Sequence, residues 1–176
     1  DIIEKERIFF DQSGGGVTFS GGEPLVHTEM LIKLLDECGK IGIHRAVDTA
    51  GNVSTETILD VAKRTDLFLY DIKMMDSELH REWINSGNEK ILHNLVVLAE
   101  TGKPIIIRIP LIGGVNDTDE NIELTAKFIS ELAGEKKMVH LLPYHAIAQN
   151  KYMKLGKSDD FEKLKEPDKE TLERAI

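Results

Sequence analysis

Short apolar runs rich in β-branched and aromatic residues recur along the chain and are separated by longer segments with helical periodicity. Such runs are typical of buried strands, because polar or glycine-rich residues bound each of them within a few positions. The runs predict five strands, at Val17–Ser20, Ile43–Asp48, Leu67–Asp71, Ile105–Ile109 and Met138–Leu142.

Apolar residues spaced three and four apart predict helices between these strands. The predicted apolar faces are Leu31, Leu34, Leu35 and Cys38, then Ile91, Leu92, Leu95, Leu98 and Ala99, then Ile122, Ala126, Ile129 and Ala133. Residue types that cap helices predict starts at Thr28, at Ser54 or Thr55, at Asn88 and at Thr118, and ends at Gly39, Gly102 and Gly134.

Strands that alternate with helices predict an α/β fold with a parallel sheet and right-handed crossovers. A repeat of roughly 30 to 35 residues suits a barrel-like βα array, and a doubly wound open sheet is the alternative. Five units are too few for a closed eight-stranded barrel. We therefore predict one domain over residues 1–176, a partial TIM-type βα barrel of about five units that is truncated at its N-terminus and lacks its first unit. Both chain ends, Asp1–Phe10 and Lys169–Ala175, have the pattern of incomplete helical segments.

Composition narrows the function classes. The net charge is −9 and the chain has no cluster of Lys or Arg, which argues against general nucleic-acid binding. No apolar stretch approaches the roughly 20 residues of a membrane span. A single cysteine, Cys38, and a start without a signal-peptide pattern favour a cytoplasmic location. Cys38 lies on a predicted apolar face, so we expect it to behave as a small buried hydrophobe.

Each predicted strand ends in polar or glycine-rich residues. These ends are Ser20-Gly21-Gly22-Glu23, Asp48-Thr49, Asp71 with Lys73, Arg108-Ile109-Pro110 and Tyr144-His145. Because the carboxyl ends of parallel strands meet at one edge, we expect all five to face one mouth.

Several of these residues also fit ordinary structural roles. The paired glycines permit close backbone approach but also suit a tight turn without a ligand. Asp71 and Lys73 are two residues apart and would point to one face of an extended segment, where a structural ion pair is the alternative. Gly14, Gly15 and Gly16 are interpreted as a flexible entry to the first strand. A lone histidine such as His145 is usually neither ligand nor catalyst, and the remaining histidines lack metal-ligand spacing.

Four motifs taken together resemble the glycyl-radical-enzyme activase family, the pyruvate formate-lyase activating enzyme type of the radical S-adenosylmethionine superfamily. They are GGGVTFSGGEP at 14–24, DTAG at 48–51, YDIK at 70–73 and LPYH at 142–145. The similarity covers nearly the whole chain and includes residues 113–117.

The resemblance implies a radical oxidoreductase that uses S-adenosylmethionine and a 4Fe-4S cluster held by a CxxxCxxC motif. Reductive cleavage of the cofactor yields a 5′-deoxyadenosyl radical, which removes a hydrogen atom from a glycine of a partner glycyl radical enzyme under anaerobic conditions. An electron donor such as flavodoxin or ferredoxin is also implied.

The resemblance also assigns residues to the cofactor. It places Gly21, Gly22 and Glu23, next to Ser20, at the amino group of the methionine part, and Lys73 near the carboxylate. Arg108 either assists at the carboxylate or is turned into the wall by its strand position. It places Asp71 and His145 at the ribose hydroxyls. Asp48 and Thr49 would lie near a monovalent cation or the incoming glycine loop. The radical is carried by the cofactor, so no catalytic side chain is assigned.

The chain departs from the family at the cluster, because Cys38 alone cannot supply three thiolates. We expect the cluster loop, and any inserted ferredoxin-like domain, to lie upstream of Asp1, and this stretch alone to be inactive.

Three other functions are alternatives to an activating enzyme. They are a radical enzyme acting on a small molecule or on an anaerobic ribonucleotide reductase, a barrel aldolase with a Schiff base at Lys73, and a non-catalytic binding module. The residues do not indicate which glycyl radical enzyme would be activated.

Overall fold

The computed structural model describes residues 2–145 and 164–175. The strands are β1 Gly16–Phe19, β2 His44–Thr49, β3 Leu67–Asp71, β4 Ile105–Leu111 and β5 Met138–Pro143. The α-helices are α1 Ile2–Lys5, α2 Arg7–Ser13, α3 Thr28–Lys40, α4 Thr55–Ala62, α5 Ser77–Ile84, α6 Glu89–Glu100, α7 Asp119–Ser130 and α8 Lys169–Arg174, and a 3-10 helix spans Pro24–His27. All five predicted strands are confirmed, and no strand end differs from its prediction by more than two residues.

The strands form one sheet in the order β1-β2-β3-β4-β5. β1 pairs in parallel with β2, with Phe19 opposite Val47, and β2 pairs in parallel with β3, with Thr49 opposite Tyr70. Between β3 and β4, Phe68 N donates to Pro104 O at 3.0 Å and Ile72 N donates to Arg108 O at 2.9 Å. These two bonds advance equally along both strands, as parallel pairing requires. The predicted α/β class with a parallel sheet is confirmed.

The chain forms two compact units. The first comprises residues 2–71, 89–107 and 132–138, and the second comprises residues 72–88, 108–131, 139–145 and 164–175. The organisation as a single domain remains a prediction. Among the residues that the structure describes, no helix is long and apolar enough to cross a bilayer.

The core of the first unit is built from the sheet and the helices that cover it. Val47 of β2 and Phe68 of β3 are fully buried, as are Leu35 of α3, Ile58 of α4 and Leu95 of α6. Each of these helices buries residues of its apolar face against the sheet. Ser54 caps α4 by accepting a hydrogen bond from Thr57 N at 3.2 Å. Cys38 is buried on the inner face of α3, as predicted.

The structure revises two predictions about glycines. The predicted end of α3 at Gly39 is one residue early, because α3 ends at Lys40, and a Cβ on Gly39 would come 2.4 Å from Nη1 of Arg45. The missing side chain leaves room for the bidentate pair between Arg45 and Asp66, whose two N–O distances are both 2.9 Å. Gly16 is not part of a flexible entry. It is the first residue of β1, and a Cβ there would lie 2.1 Å from the carbonyl oxygen of His44.

The prediction that β5 is buried is also wrong. Met138 is 58% exposed and Val139 is 41% exposed, because β5 is the last strand in the sheet order. The predicted apolar face of α7 is partly wrong, since Ala126 is exposed and Thr125 is buried instead. In α3, Leu34 is 39% exposed although Leu31 and Leu35 are buried.

Candidate functional site

A diglycine corner, Ser20 to Glu23, joins the carboxyl end of β1 to the 3-10 helix. Gly21 has a φ of 143°, a conformation that residues with a side chain rarely adopt. An ideal Cβ on Gly21 or on Gly22 would meet no atom within 4 Å. The backbone of the corner therefore borders open space, so a ligand can approach its peptide groups directly.

The carboxylate of Glu23 is held by three hydrogen-bond donors. Its Oε1 accepts from Leu25 N at 3.1 Å and from the Thr49 hydroxyl at 2.7 Å, and its Oε2 accepts from Ala50 N at 3.0 Å. Two of these donors, Thr49 and Ala50, lie at the end of β2, so the carboxylate connects β2 to the turn after β1. A carboxylate can accept about four hydrogen bonds, and Oε2 thus keeps acceptor capacity beyond the three bonds described.

The turn after β2 is built around Thr49 and Gly51. Thr49 is buried, and its hydroxyl also accepts a hydrogen bond from Gly51 N at 2.8 Å. Gly51 has a φ of 70°, and a Cβ there would lie 1.8 Å from the Tyr70 hydroxyl oxygen. Tyr70 donates that hydroxyl to Ile91 O at 2.8 Å, and burial, with the nearby charge of Glu23, raises the pKa of Tyr70. Only glycine fits at position 51 of this turn.

A second side-chain bond joins the ends of β1 and β2, because Ser20 Oγ donates to Asp48 Oδ2 at 2.9 Å. Asp71 closes β3 directly after Tyr70, the register partner of Thr49. Within the first unit the structure therefore brings together four of the predicted site residues through hydrogen bonds, namely Ser20, Glu23, Asp48 and Thr49.

Gly21, Gly22 and Asp71 also belong to the first unit, whereas Lys73, Arg108 and His145 belong to the second. Lys73 lies in the irregular segment after β3, and none of the described residues accepts a hydrogen bond from its ammonium group. Arg108 lies within β4. His145 follows β5, and its Nδ1 is 3.7 Å from Oε1 of Glu166, with both side chains exposed. The hydroxyl oxygen of Tyr144 is buried and has no hydrogen-bond partner in the described part of the chain.

Sequence reasoning missed the asparagines that support these segments. Asn94, fully buried in α6, donates to Gly51 O at 2.8 Å and to Val53 O at 2.9 Å. Asn88 directly precedes α6, as predicted for a helix start, and its side-chain amide donates to Met74 O and Met75 O. Asn116, within the segment 113–117, donates to Lys73 O. Asn94 gave the one signal available in the sequence, because an asparagine on an otherwise apolar helix face indicates a buried hydrogen-bonding role.

No group of three or more potential metal ligands exists among residues 2–145 and 164–175. Cys38 is buried, and burial raises the pKa of its thiol. The cofactor, cation and substrate roles of individual residues remain predictions.

Comparisons with known proteins identify the family. The radical SAM superfamily model matches residues 1–129. The trans-4-hydroxy-L-proline dehydratase activating enzyme of Clostridioides difficile is 45% identical over 174 residues, which are 97% of this chain and 57% of that protein. The choline trimethylamine-lyase activating enzyme of Oleidesulfovibrio alaskensis is 40% identical over 158 residues, or 89% of this chain and 51% of that protein. The chain thus spans about half the length of the curated relatives it matches.

Solved structures agree. A domain of pyruvate-formate lyase-activating enzyme from Bacteroides vulgatus is 42% identical, with a TM-score of 0.78 over 92% of this chain and 91% of that one. A radical SAM methyltransferase from Sphaerobacter thermophilus, at 18% identity and a TM-score of 0.65 over 98% of this chain and 50% of that one, shares the fold alone. The family match over most of the chain, the relatives named as activating enzymes and the parallel βα fold lead to one conclusion: the chain belongs to the radical SAM superfamily.

Proposed function

We propose that this chain provides the S-adenosylmethionine-binding region of an activating enzyme for a glycyl radical enzyme. The observation that carries the proposal is the diglycine corner after β1, with open space before Gly21 and Gly22 and a fixed carboxylate at Glu23. The names of the relatives support the same function. The Schiff-base aldolase and the non-catalytic module lack comparable support.

The residues of the corner fit the amino-acid part of the cofactor. Oε2 of Glu23 has acceptor capacity left for an ammonium group, and charge-assisted hydrogen bonds of this kind are short and strong. Peptide groups that no Cβ shields lie next to it. Lys73 carries a charge complementary to a carboxylate, and we propose that it binds the carboxylate of the same cofactor, with Arg108 assisting. Asp71 and His145 are proposed to bind the ribose.

The residues present do not fit the cluster. An iron-sulfur cluster needs several thiolates, and the single thiol of this chain is buried on the inner face of α3. We therefore derive no step through the cluster from these residues. The proposal for this chain is limited to binding and orienting the cofactor.

When bound in an intact activating enzyme, the cofactor supplies hydrogen-atom abstraction from a glycine of the partner. The diglycine corner and Glu23 hold the amino-acid end still, and the Thr49 and Ala50 donors keep the Glu23 carboxylate from turning away. We further propose a glycyl radical enzyme as the partner, flavodoxin or ferredoxin as the electron donor, and a cytoplasmic location. Asp48 and Thr49 are proposed to serve a monovalent cation or the partner's glycine loop.

Substitution of Gly22 tests the proposal, because position 22 has room for a side chain in the folded protein. Neither a positive φ nor a steric contact penalises Gly22→Ala, so its free energy of unfolding should stay within about 0.5 kcal/mol of the wild type. Equilibrium dialysis with labelled S-adenosylmethionine should show weak binding to the wild type and progressively weaker binding to Gly22→Ala and Gly22→Val. Unchanged binding by both variants would refute the proposal.

A further inference from the structure

The segment 73–75 has no regular secondary structure, although only Ile72 separates it from the end of β3. Backbone groups outside helices and strands need other partners when they are removed from water. In this segment, side chains of three asparagines supply them. Asparagine suits this task because its amide offers both donors and an acceptor.

Asn116 contacts the backbone of Lys73 itself. It is 2% exposed, and its Nδ2 donates to Lys73 O at 2.5 Å and to Pro110 O at 2.7 Å. Its Oδ1 accepts from Ile112 N at 2.7 Å. One buried amide thus ties Lys73, just after β3, to the end of β4 and to the loop that follows.

Asn88 and Asn121 hold the next two residues. Asn88 is 3% exposed, and its Nδ2 donates to Met74 O at 2.9 Å and to Met75 O at 2.8 Å. Asn121 accepts from Met75 N at 2.8 Å through Oδ1 and donates to Asn116 O at 2.8 Å through Nδ2. The carbonyls of three successive residues are therefore fixed by side chains from other parts of the second unit.

The fixed backbone contrasts with the Lys73 side chain, whose ammonium has no acceptor among the described residues. A lysine side chain is flexible, so where its charge can reach depends on how firmly its backbone is held. We propose that Asn116, assisted by Asn88, is a positioning residue that aims Lys73 at the carboxylate of the bound cofactor. This inference rests on the proposed function.

The test uses the 176-residue chain with ¹³C-dimethylated lysines, in which the Lys73 signal is identified by its absence in Lys73→Arg. Asn116→Asp keeps the acceptor for Ile112 N but removes both donors and places a carboxylate oxygen against the carbonyls of Lys73 and Pro110. Thr125→Val is the matched control, because it removes a buried side-chain hydrogen bond of the same unit, to Asn121 O, and changes none of the three asparagine side chains.

Titration with S-adenosylmethionine should shift the Lys73 signal in the wild type and in Thr125→Val with the same dissociation constant. In Asn116→Asp that constant should rise about tenfold, since a buried donor pair is lost beside the binding group. Equal affinity of Asn116→Asp and wild type would overturn the role of Asn116. If Asn116→Asp does not fold, Asn88→Asp carries the test, with an expected rise of about threefold, and no change would overturn the inference.

The proposed function fails in a different way. If the wild-type Lys73 signal does not respond to S-adenosylmethionine at all, the proposed function is refuted together with the role of the asparagines in cofactor binding. If the wild type responds and the asparagine variants respond identically, only the positioning role is refuted.

Discussion

Replacing Thr49 with valine tests the hydrogen-bonded turn on which the Glu23 carboxylate depends. Valine has nearly the same shape but cannot donate to Glu23 Oε1, 2.7 Å away, or accept from Gly51 N, 2.8 Å away. A hydrogen bond to a charged group contributes roughly 1.5–3 kcal/mol, and a buried amide left without an acceptor costs roughly 1–3 kcal/mol. The additional buried methyl group offsets about 0.8 kcal/mol. We expect Thr49→Val to lower the free energy of unfolding by roughly 2–5 kcal/mol.

Urea unfolding followed by circular dichroism measures this difference, with Thr18→Val as the control. Thr18 is an exposed residue of the neighbouring strand β1, so its replacement should change stability by no more than about 0.5 kcal/mol. Thr49→Val should also weaken binding of S-adenosylmethionine, because the carboxylate loses one of its donors. A Thr49→Val protein as stable as the Thr18→Val control would refute the reasoning.

Three further substitutions probe the same framework. Gly51→Ala should destabilise the chain by at least about 3 kcal/mol in urea, because it adds a left-handed-conformation cost to a clash with the buried Tyr70; a loss below about 1 kcal/mol would contradict the assigned turn. Asp66→Asn should cost roughly 1–2 kcal/mol at neutral pH, since Arg45 holds the pKa of the Asp66 carboxyl below its usual range. That contribution to stability is fully present above the unfolded pKa of about 3.9 and is lost as pH falls through the lower folded pKa. The stability difference between Asp66→Asn and the wild type should therefore shrink only in acid. A difference that disappears above about pH 5 instead would contradict a lowered pKa for Asp66. Ser54→Ala should cost about 1 kcal/mol through loss of the α4 cap, measured by thermal unfolding, and an unchanged melting temperature would rule out the cap.

The strands could be predicted because each is a short apolar run between polar or glycine-rich residues. β3 has the bounds that its apolar run predicts, whereas β4 continues two residues beyond the predicted Ile109. The carbonyl of Pro110 in that extension accepts from Asn116, a contact that a local pattern cannot show. The exposure of β5 could not be predicted, because an apolar run does not indicate whether a strand lies at the edge of the sheet. The helix α5 was not predicted, although Asp76 caps it by accepting from Leu79 N.

The site was predicted to the level of segments rather than contacts. The strand-end rule selected Glu23 and Thr49, but the bond between their side chains spans 26 positions of sequence and follows only from the register of β1 on β2. The hydrogen bond from Asn116 to Lys73 O joins residues 43 positions apart, and it too could not be predicted from a local sequence pattern. Gly51 was recognised as part of a motif. The reason that position 51 needs glycine is the nearby Tyr70 hydroxyl, and this contact can be seen only in the folded structure.

The most direct test of the account compares two ligands that differ in one part. ¹⁵N amide spectra of the chain should be recorded with S-adenosylmethionine and with 5′-methylthioadenosine, which lacks the amino-acid group. The account predicts that the amides of Gly21, Gly22 and Ala50 shift with S-adenosylmethionine and stay unchanged with 5′-methylthioadenosine. Equal shifts with both ligands, or none with S-adenosylmethionine, would contradict the assignment of the diglycine corner and Glu23 to the amino group of the cofactor.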